Sequence, residues 1–330
     1  MEDRIALSRY CFTLEVLEEM ALPQYLGSTL RGGFGHVFRR IACPGSRLGG
    51  KACPLPEQCP YHLIFEPSPP PDATALRNLE EIPRPFVIAP PFASERSYQV
   101  GSTFSFDLTL VGKAIPFLPY FIVAFKELGN RGLGRGQKPF RVTQITAIDP
   151  IQGWEEPIYT AEDEMVRTSD AKVTLAACRA MAAALLTKGN PTALRLAFLT
   201  PTRLKFEGHL VDTPEFHIVF RSLLRRLSSL ALFHCGTKLD VDYRSLITQA
   251  QQVQLVRNET RWVDWERYSS RQKERMFLGG LVGEAAYAGE FRPLLPYLLF
   301  GQWTHVGKNA TFGLGKYEVE LQPLPNHGEA

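Results

Sequence analysis

The first residues that invite chemistry form a glycine-rich stretch, GKNATFGLGKY at 307–317, with His305 just before it and Lys308 inside it. Glycine removes the side chain that would keep a ligand at a distance, so backbone amides of such a stretch can approach a phosphate while Lys308 supplies charge. The pattern is not a nucleotide P-loop. It lacks the lysine followed by serine or threonine, and no strand, GxGxxG and helix unit surrounds it. A second set, Cys43, Cys53, Cys59 and His62, has nine, five and two residues between successive members. Four such ligands suit tetrahedral zinc and would staple a proline-rich loop. No CxxC pair is among them, and an empty, thiol-bearing loop is the alternative reading.

The elements that must hold these residues show a duplication. PFLPYFIVAF then GNRGLGRGQKPFRV at 116–142 returns as PLLPYLLF then GKNATFGLGKYEVE at 293–320, the Leu-Pro-Tyr elements 177 residues apart and the Gly-Leu-Gly elements 181 apart. Both copies read as helix, glycine loop, strand. Upstream, Tyr10 to Glu18 alternates like a half-buried strand, and a helix follows from about Ser28 to Ile41, with Gly27 and Ser28 as its start signal. Ala193 to Phe206 and Thr213 to His234 are the counterparts in the second half. Strands over 98–111 and 252–261 complete βαββαβ twice, an α+β fold of tandem ferredoxin-like domains. An alanine-rich helix over 171–186, ending at Gly189, Asn190 and Pro191, sets the boundary near 190. The expected domains are therefore 1–190, with the Cys/Pro-rich insertion, and 191–330, with the glycine-rich loop. Pro67 to Pro71 and Pro83 to Pro91 read as extended linkers or edge segments.

A chain of 330 residues, 45% hydrophobic and 22% charged, has the composition of a folded protein of about two domains, which excludes the disordered class. Its apolar runs fall well short of the roughly 20 residues that span a bilayer. The start of the chain, with Glu2 and Asp3, lacks a secretory pattern, so a cytoplasmic location is expected. Six cysteines are too few for a disulfide scaffold. The net charge of +3 says little about partners, but its distribution says more: residues 20–56 hold five basic residues and no acid, and residues 128–148 hold four and no acid. A third acid-free window, 216–239, reads as the solvated face of an amphipathic helix.

GSTLRGGFGHVFRRIAC at 27–43, CPYHLIFEP at 59–67, LTPTRLKFEG at 199–208, FRSLLRRLSSLALFHCG at 220–236 and HVGKNATFGLGKY at 305–317 carry a family resemblance. Together they resemble the CRISPR-associated endoribonucleases that process precursor guide RNA, within the RAMP superfamily, whose signature is the glycine-rich C-terminal loop. The resemblance implies tandem ferredoxin-like architecture and metal-independent cleavage of CRISPR repeat RNA. In that reaction the 2′-hydroxyl attacks the adjacent phosphate, leaving a 2′,3′-cyclic phosphate and a 5′-hydroxyl. It needs a base, an acid and positive charge, and imidazole suits the first two roles. Members of the family carry a catalytic histidine in the region of His36, which makes it the first candidate; a partnerless helix-surface histidine is the alternative. Tyr25 and Lys51 match the helper types of some members, while His305 and Lys308 could meet a phosphate held by the loop.

RNA contact is expected from Arg31, Arg39, Arg40, Arg131, Arg135 and Lys138, from Gly307, Gly313 and Gly315, and from Phe34 and Trp303 as stacking rings in a cationic cleft. His209, His217 and His234 read as structural. The implied partners are repeat RNA, as precursor crRNA, and other CRISPR effector subunits, with no membrane. No cofactor is expected for catalysis, and zinc in the cysteine loop would be structural. A non-catalytic RNA-binding subunit is the rival reading: it keeps the glycines and arginines and needs no histidine. A metal-dependent nuclease is disfavoured, because no closely spaced carboxylate set is present.

Overall fold

The computed structural model describes residues 4–23, 25–43, 58–67, 82–91, 97–134, 136–187, 193–264, 266–269 and 274–322. Two compact units divide the chain: Arg4–Val173 with Ser229–Thr237, and Thr174–Ser228 with the chain from Lys238 onward.

In the first unit the elements are β1 (Ala6–Val16), β2 (Met20–Ala21), α1 (Gly27–Ala42), α2 (Pro60–Ile64), β3 (Phe86–Ala89), β4 (Ser97–Tyr98), β5 (Thr103–Val111), α3 (Leu118–Arg131), β6 (Phe140–Asp149), β7 (Trp154–Thr160) and β8 (Val173–Thr174). The main sheet has the order β3-β5-β1-β6-β7, with β8 also on β1. Strand β1 is antiparallel to both neighbours, with Leu7 opposite Val111 and Arg9 opposite Ile148. Taking β1-α1-β3-β5-α3-β6 in order gives the ferredoxin-like arrangement, with β7 added at one edge. Alternation along β1 sends Tyr10, Phe12, Leu14 and Val16 into the core and leaves Arg9, Cys11, Thr13 and Glu15 half-buried on the other face.

The second unit repeats the plan with α4 (Leu175–Thr187), β9 (Ala193–Thr202), β10 (Lys205–Phe206), β11 (His209–Leu210), α5 (Phe216–His234, of which the part from Ser229 falls in the first unit), α6 (Tyr243–Gln252), β12 (Gln254–Val263), β13 (Glu266–Ser269), β14 (Glu274–Phe277), β15 (Gly280–Ala288), α7 (Leu295–Thr304) and β16 (Tyr317–Gln322). Its sheet runs β12-β15-β9-β16, so β9-α5-β12-β15-α7-β16 is again βαββαβ. The two Gly-Leu-Gly segments therefore occupy equivalent places, each between the second helix and the fourth strand of its unit. This is the α+β, tandem ferredoxin-like fold expected from the echo.

Three expectations need correction. The boundary lies between Val173 and Thr174 rather than near 190. The alanine-rich helix turns Leu175, Cys178 and Ala182 inward, and its Arg179 donates to the Tyr297 hydroxyl of α7 at 2.7 Å, so packing assigns it to the second unit although a stop signal follows it. The strand expected over 98–111 is interrupted: β4 and β5 are separated by a turn with Gly101 at φ +82°. Each unit also has a strand the sequence did not single out, β3 and β15. The proline-flanked segment 83–91 holds β3 at the sheet edge, where prolines cost few ladder bonds.

The core of the first unit is a ring cluster. Phe34 of α1 stacks on Phe121 and Phe125 of α3, with centroids 4.7 and 5.3 Å away, and Phe125 reaches Phe12 and Phe106 of the sheet. Phe34 is fully buried, so it is a core residue and not the base-stacking ring expected. Phe34→Ala is predicted to cost about 3–5 kcal/mol of stability, measured by urea unfolding of the purified chain.

Candidate functional site

Helix α1 is positioned by its apolar stripe. Leu30, Phe34, Val37 and Phe38 face the core, at the spacing that makes one face of a helix. Gly33 and Gly35 are close-packing positions: a Cβ on Gly33 would lie 2.8 Å from Leu128 Cδ1, and one on Gly35 2.2 Å from the Phe65 ring. What remains outward is Gly32, His36, Arg39 and Arg40, all exposed. These four make one stripe, since residues three and four apart are surface neighbours. Arg31 lies beside it, its guanidinium 4.2 Å over the Phe65 ring, and Arg39 sits 5.9 Å over Tyr61. The Arg131 guanidinium, and least of its neighbours Arg40, holds the Glu127 carboxyl of α3 below the usual carboxylate range. Among the described residues neither Arg39 nor Arg40 is in an ion pair. Both also lie in the last turn, where cations favour the helix dipole.

The second cationic stretch is different. Arg131 bonds Glu127 at 2.8 Å, Lys138 bonds Glu18 at 2.9 Å and Arg141 bonds Glu15 at 2.6 Å. Its acid-free sequence is thus answered by acids from elsewhere in the unit, and the field expected of Arg131 and Lys138 is largely cancelled. Arg135 lies outside the described residues. The glycines here make a tight turn: Leu133 bridges Lys138, and a Cβ on Gly132 would fall 1.9 Å from Gln137 O.

The C-terminal glycine loop is held against β9. Val306 N donates to Gly315 O, Gly315 N to Pro201 O and Lys308 N to Arg203 O; the Thr200 hydroxyl donates to Gly313 O and accepts from Lys316 N. Gly307 and Gly315 have left-handed φ, and a Cβ on Gly315 would lie 1.8 Å from Val306 O. The amides of Val306, Lys308, Gly315 and Lys316 are therefore committed inside the protein rather than presented to a phosphate. His305 is only 3% exposed, with Nδ1 3.1 Å from Leu314 O. It is a loop-stabilising residue and not the surface group expected. Lys308 keeps an exposed side chain.

Tyr25 is also enclosed, 1% exposed, and burial pushes its hydroxyl well above the ordinary tyrosine range, which removes it as an accessible helper. Lys51 lies outside the described residues. Trp303 is half-buried. The remaining histidines match the structural expectation in two cases. His234 Nε2 lies 2.6 Å from Pro83 O, and His217 stacks edge-on against Phe206, with burial and then Arg221 lowering its pKa. His209 is exposed on a short hairpin. The alternation of α3 reveals one surface aromatic the sequence reading passed over. With Phe121, Ile122, Ala124, Phe125 and Leu128 buried, Tyr120 is left outward, edge-on to Phe38 at 6.3 Å. Its place in an otherwise apolar run concealed it.

Cys43 and Cys59 are both buried, at the end of α1 and the start of α2. The Cys59 thiol donates to Ala42 O at 3.6 Å and touches Cys43, with burial as the main cause raising its pKa. Cys53 lies outside the described residues, and among the described residues no three His, Cys, Asp or Glu side chains converge as a metal site. The two thiols fit a small apolar contact as well as they fit part of a soft-metal site.

Two ferredoxin-like units, each with a glycine loop before its last strand, define the class of fold. The domain model AF_1859_N, an N-terminal domain, matches residues 5–171, and the model for CRISPR-associated endoribonuclease Cas6 matches 196–317. The chain belongs to the family that the N-terminal domain model defines, and its residues 196–317 are similar to the Cas6 family. An uncharacterized protein of Archaeoglobus fulgidus is 25% identical over 90% of this chain and 92% of its own length. Among solved structures, a Thermus thermophilus Cas6 product complex has TM-score 0.56 at 15% identity, covering 95% of this chain and 100% of that one. A chain of a partial Cas6-RT-Cas1–Cas2 complex has TM-score 0.58 at 15% identity, covering 98% of this chain and 47% of that one. These likenesses show a shared fold. Among the described residues no helix is long and apolar enough to cross a membrane.

Because Gly315 serves close backbone contact at φ +73°, Gly315→Ala is predicted to destabilise the second unit by about 1–3 kcal/mol. Limited proteolysis and urea unfolding, read against wild type, check this.

Proposed function

We propose that this chain is a metal-independent endoribonuclease that cuts CRISPR repeat RNA within precursor crRNA. The observation that carries the reading is the stripe on α1: an exposed imidazole, His36, one turn from the exposed guanidinium groups of Arg39 and Arg40. An imidazole on a helix fixed by the Phe34 cluster is held in place without being sealed from substrate, which His234 and His305 are not.

In this mechanism the ribose 2′-oxygen attacks the adjacent phosphorus while the bond from phosphorus to the 5′-oxygen breaks. The proton lost by the 2′-hydroxyl goes to a base, and the departing 5′-oxygen gains one from an acid. His36 serves one of these transfers. Arg39 and Arg40 offset the charge that grows on the phosphorane oxygens, a task for which guanidinium geometry is suited. The nucleophile is the substrate's own hydroxyl, so no metal-activated water is required. A cytoplasmic place and association with other CRISPR proteins fit the reading, and the similarity to a chain from a Cas6-RT-Cas1–Cas2 complex supports the latter.

The test uses purified protein, repeat RNA and EDTA. Wild type is expected to yield 2′,3′-cyclic phosphate and 5′-hydroxyl ends, and a 2′-deoxy residue at the cut site blocks the reaction. His36→Ala is expected to slow cleavage by about 10²–10⁴-fold while leaving binding intact. Cleavage at the wild-type rate by His36→Ala would remove the assignment, and RNA binding by wild type without any cutting would establish the rival, a non-catalytic binding subunit. In the double variant Arg39→Ala/Arg40→Ala the affinity is expected to fall and its salt dependence to flatten, with the logarithmic slope reduced by about 1 to 2, read by filter binding across a salt series.

A further inference from the structure

Many of the described glycines have visible reasons, and Gly32 stands apart from them. Gly33, Gly35, Gly129, Gly280 and Gly301 have neighbours that a Cβ would strike, while Gly101, Gly153, Gly208 and Gly236 have left-handed φ. Gly32 has neither. It lies inside a sixteen-residue helix, its φ is ordinary, and a Cβ built on it meets no atom of the described residues within 4 Å. Glycine there weakens the helix relative to alanine and gains nothing in packing. The remaining use of a missing side chain is to let something outside the chain come close to the backbone.

Gly32 sits four residues before His36 on the same exposed stripe. Four residues of helix advance about 6 Å, a distance comparable to that between neighbouring phosphates of an RNA strand. We propose that Gly32 is a substrate-approach position: the ribose-phosphate next to the scissile one packs on bare helix backbone there, which sets the reacting phosphate at His36. This rests on the reading of α1 as the RNA site. Gly32 is a positioning residue and exchanges no proton. A side chain at 32 would hold the strand away from the helix, so it should weaken binding and slow cleavage without harming the fold.

The experiment compares Gly32→Ala and Gly32→Gln with wild type, using repeat RNA carrying a 2′-deoxy residue at the cut site for binding and ordinary RNA for cleavage. Both variants are expected to unfold at a higher urea concentration than wild type, since alanine and glutamine favour helix and the space is open. Gly32→Ala should bind about tenfold more weakly, and Gly32→Gln more weakly still. Wild-type affinity in both variants, alongside loss of cutting in His36→Ala, overturns this inference alone. If His36→Ala cuts normally while the Gly32 variants lose binding, the approach position stands and the imidazole assignment falls. If wild type does not bind the RNA, both fall together.

Discussion

The contact on which the rest depends is the stack of Phe34 against Phe121 and Phe125, carried down to Phe12 and Phe106 in the sheet. A helix on a sheet can in principle rotate about its axis; this one cannot without withdrawing a fully buried ring. Aromatic stacking adds geometric preference to the area buried, and the side-chain-free Gly33 and Gly35 let α1 settle against Leu128 and Phe65. With the inner face fixed, the outer face follows. His36 is exposed because Phe34, Val37 and Phe38 are not.

The duplicated plan explains why two similar glycine segments serve the fold in similar ways. In each unit the chain leaves the second helix and must turn sharply into the fourth strand. Gly132 meets Gln137 O in the first copy, and Gly307 meets Arg203 O in the second. A side chain at either place would collide with backbone, which cannot yield as a flexible side chain can. The resemblance of such loops to phosphate cradles comes from the same property, close approach to backbone, but here the partner is the protein's own chain. The Thr200 hydroxyl, between Gly313 O and Lys316 N, locks the second loop to its sheet.

Much of the architecture was legible in the sequence because it is written in periodicity. The echo of helix, glycine loop and strand identified the repeat, and α1, β1, α5 and β16 lie close to where alternation or helical spacing placed them. β15 was hidden because Gly280, Gly283, Ala285, Ala286 and Ala288 give it little β-propensity, and its place is fixed by pairing with β9 and β12. The alanine-rich α4 misled for a related reason: its stop signal is local, but its allegiance is decided by the Arg179–Tyr297 contact. At the site, residue types were legible and accessibility was not. Tyr25, Phe34 and His305 have suitable chemistry, and only tertiary packing shows that they are enclosed.

Charge shows the same limit most clearly. Counting basic residues along 20–56 and 128–148 treats the two stretches alike, yet folding answers them differently. A strand faces its neighbours in register, so a cation on β6 meets whatever stands opposite: Arg141 is paired with Glu15 of β1, 126 positions away. Arg195 on β9 is likewise flanked by Glu284 and Glu320 from the strands on either side. An outward helix face has no such obligatory partner, because its neighbours in space are its own residues three and four apart. Along the outer stripe of α1 those neighbours are Gly32, His36, Arg39 and Arg40, and the stripe contains no acid. Arginines on the sheets, Arg141 and Arg195, are therefore in ion pairs, while Arg39 and Arg40 make a cationic surface on α1. Helix α3 has Glu127 one turn before Arg131 and pairs it; the acid-free stripe of α1 stays available to an anionic ligand.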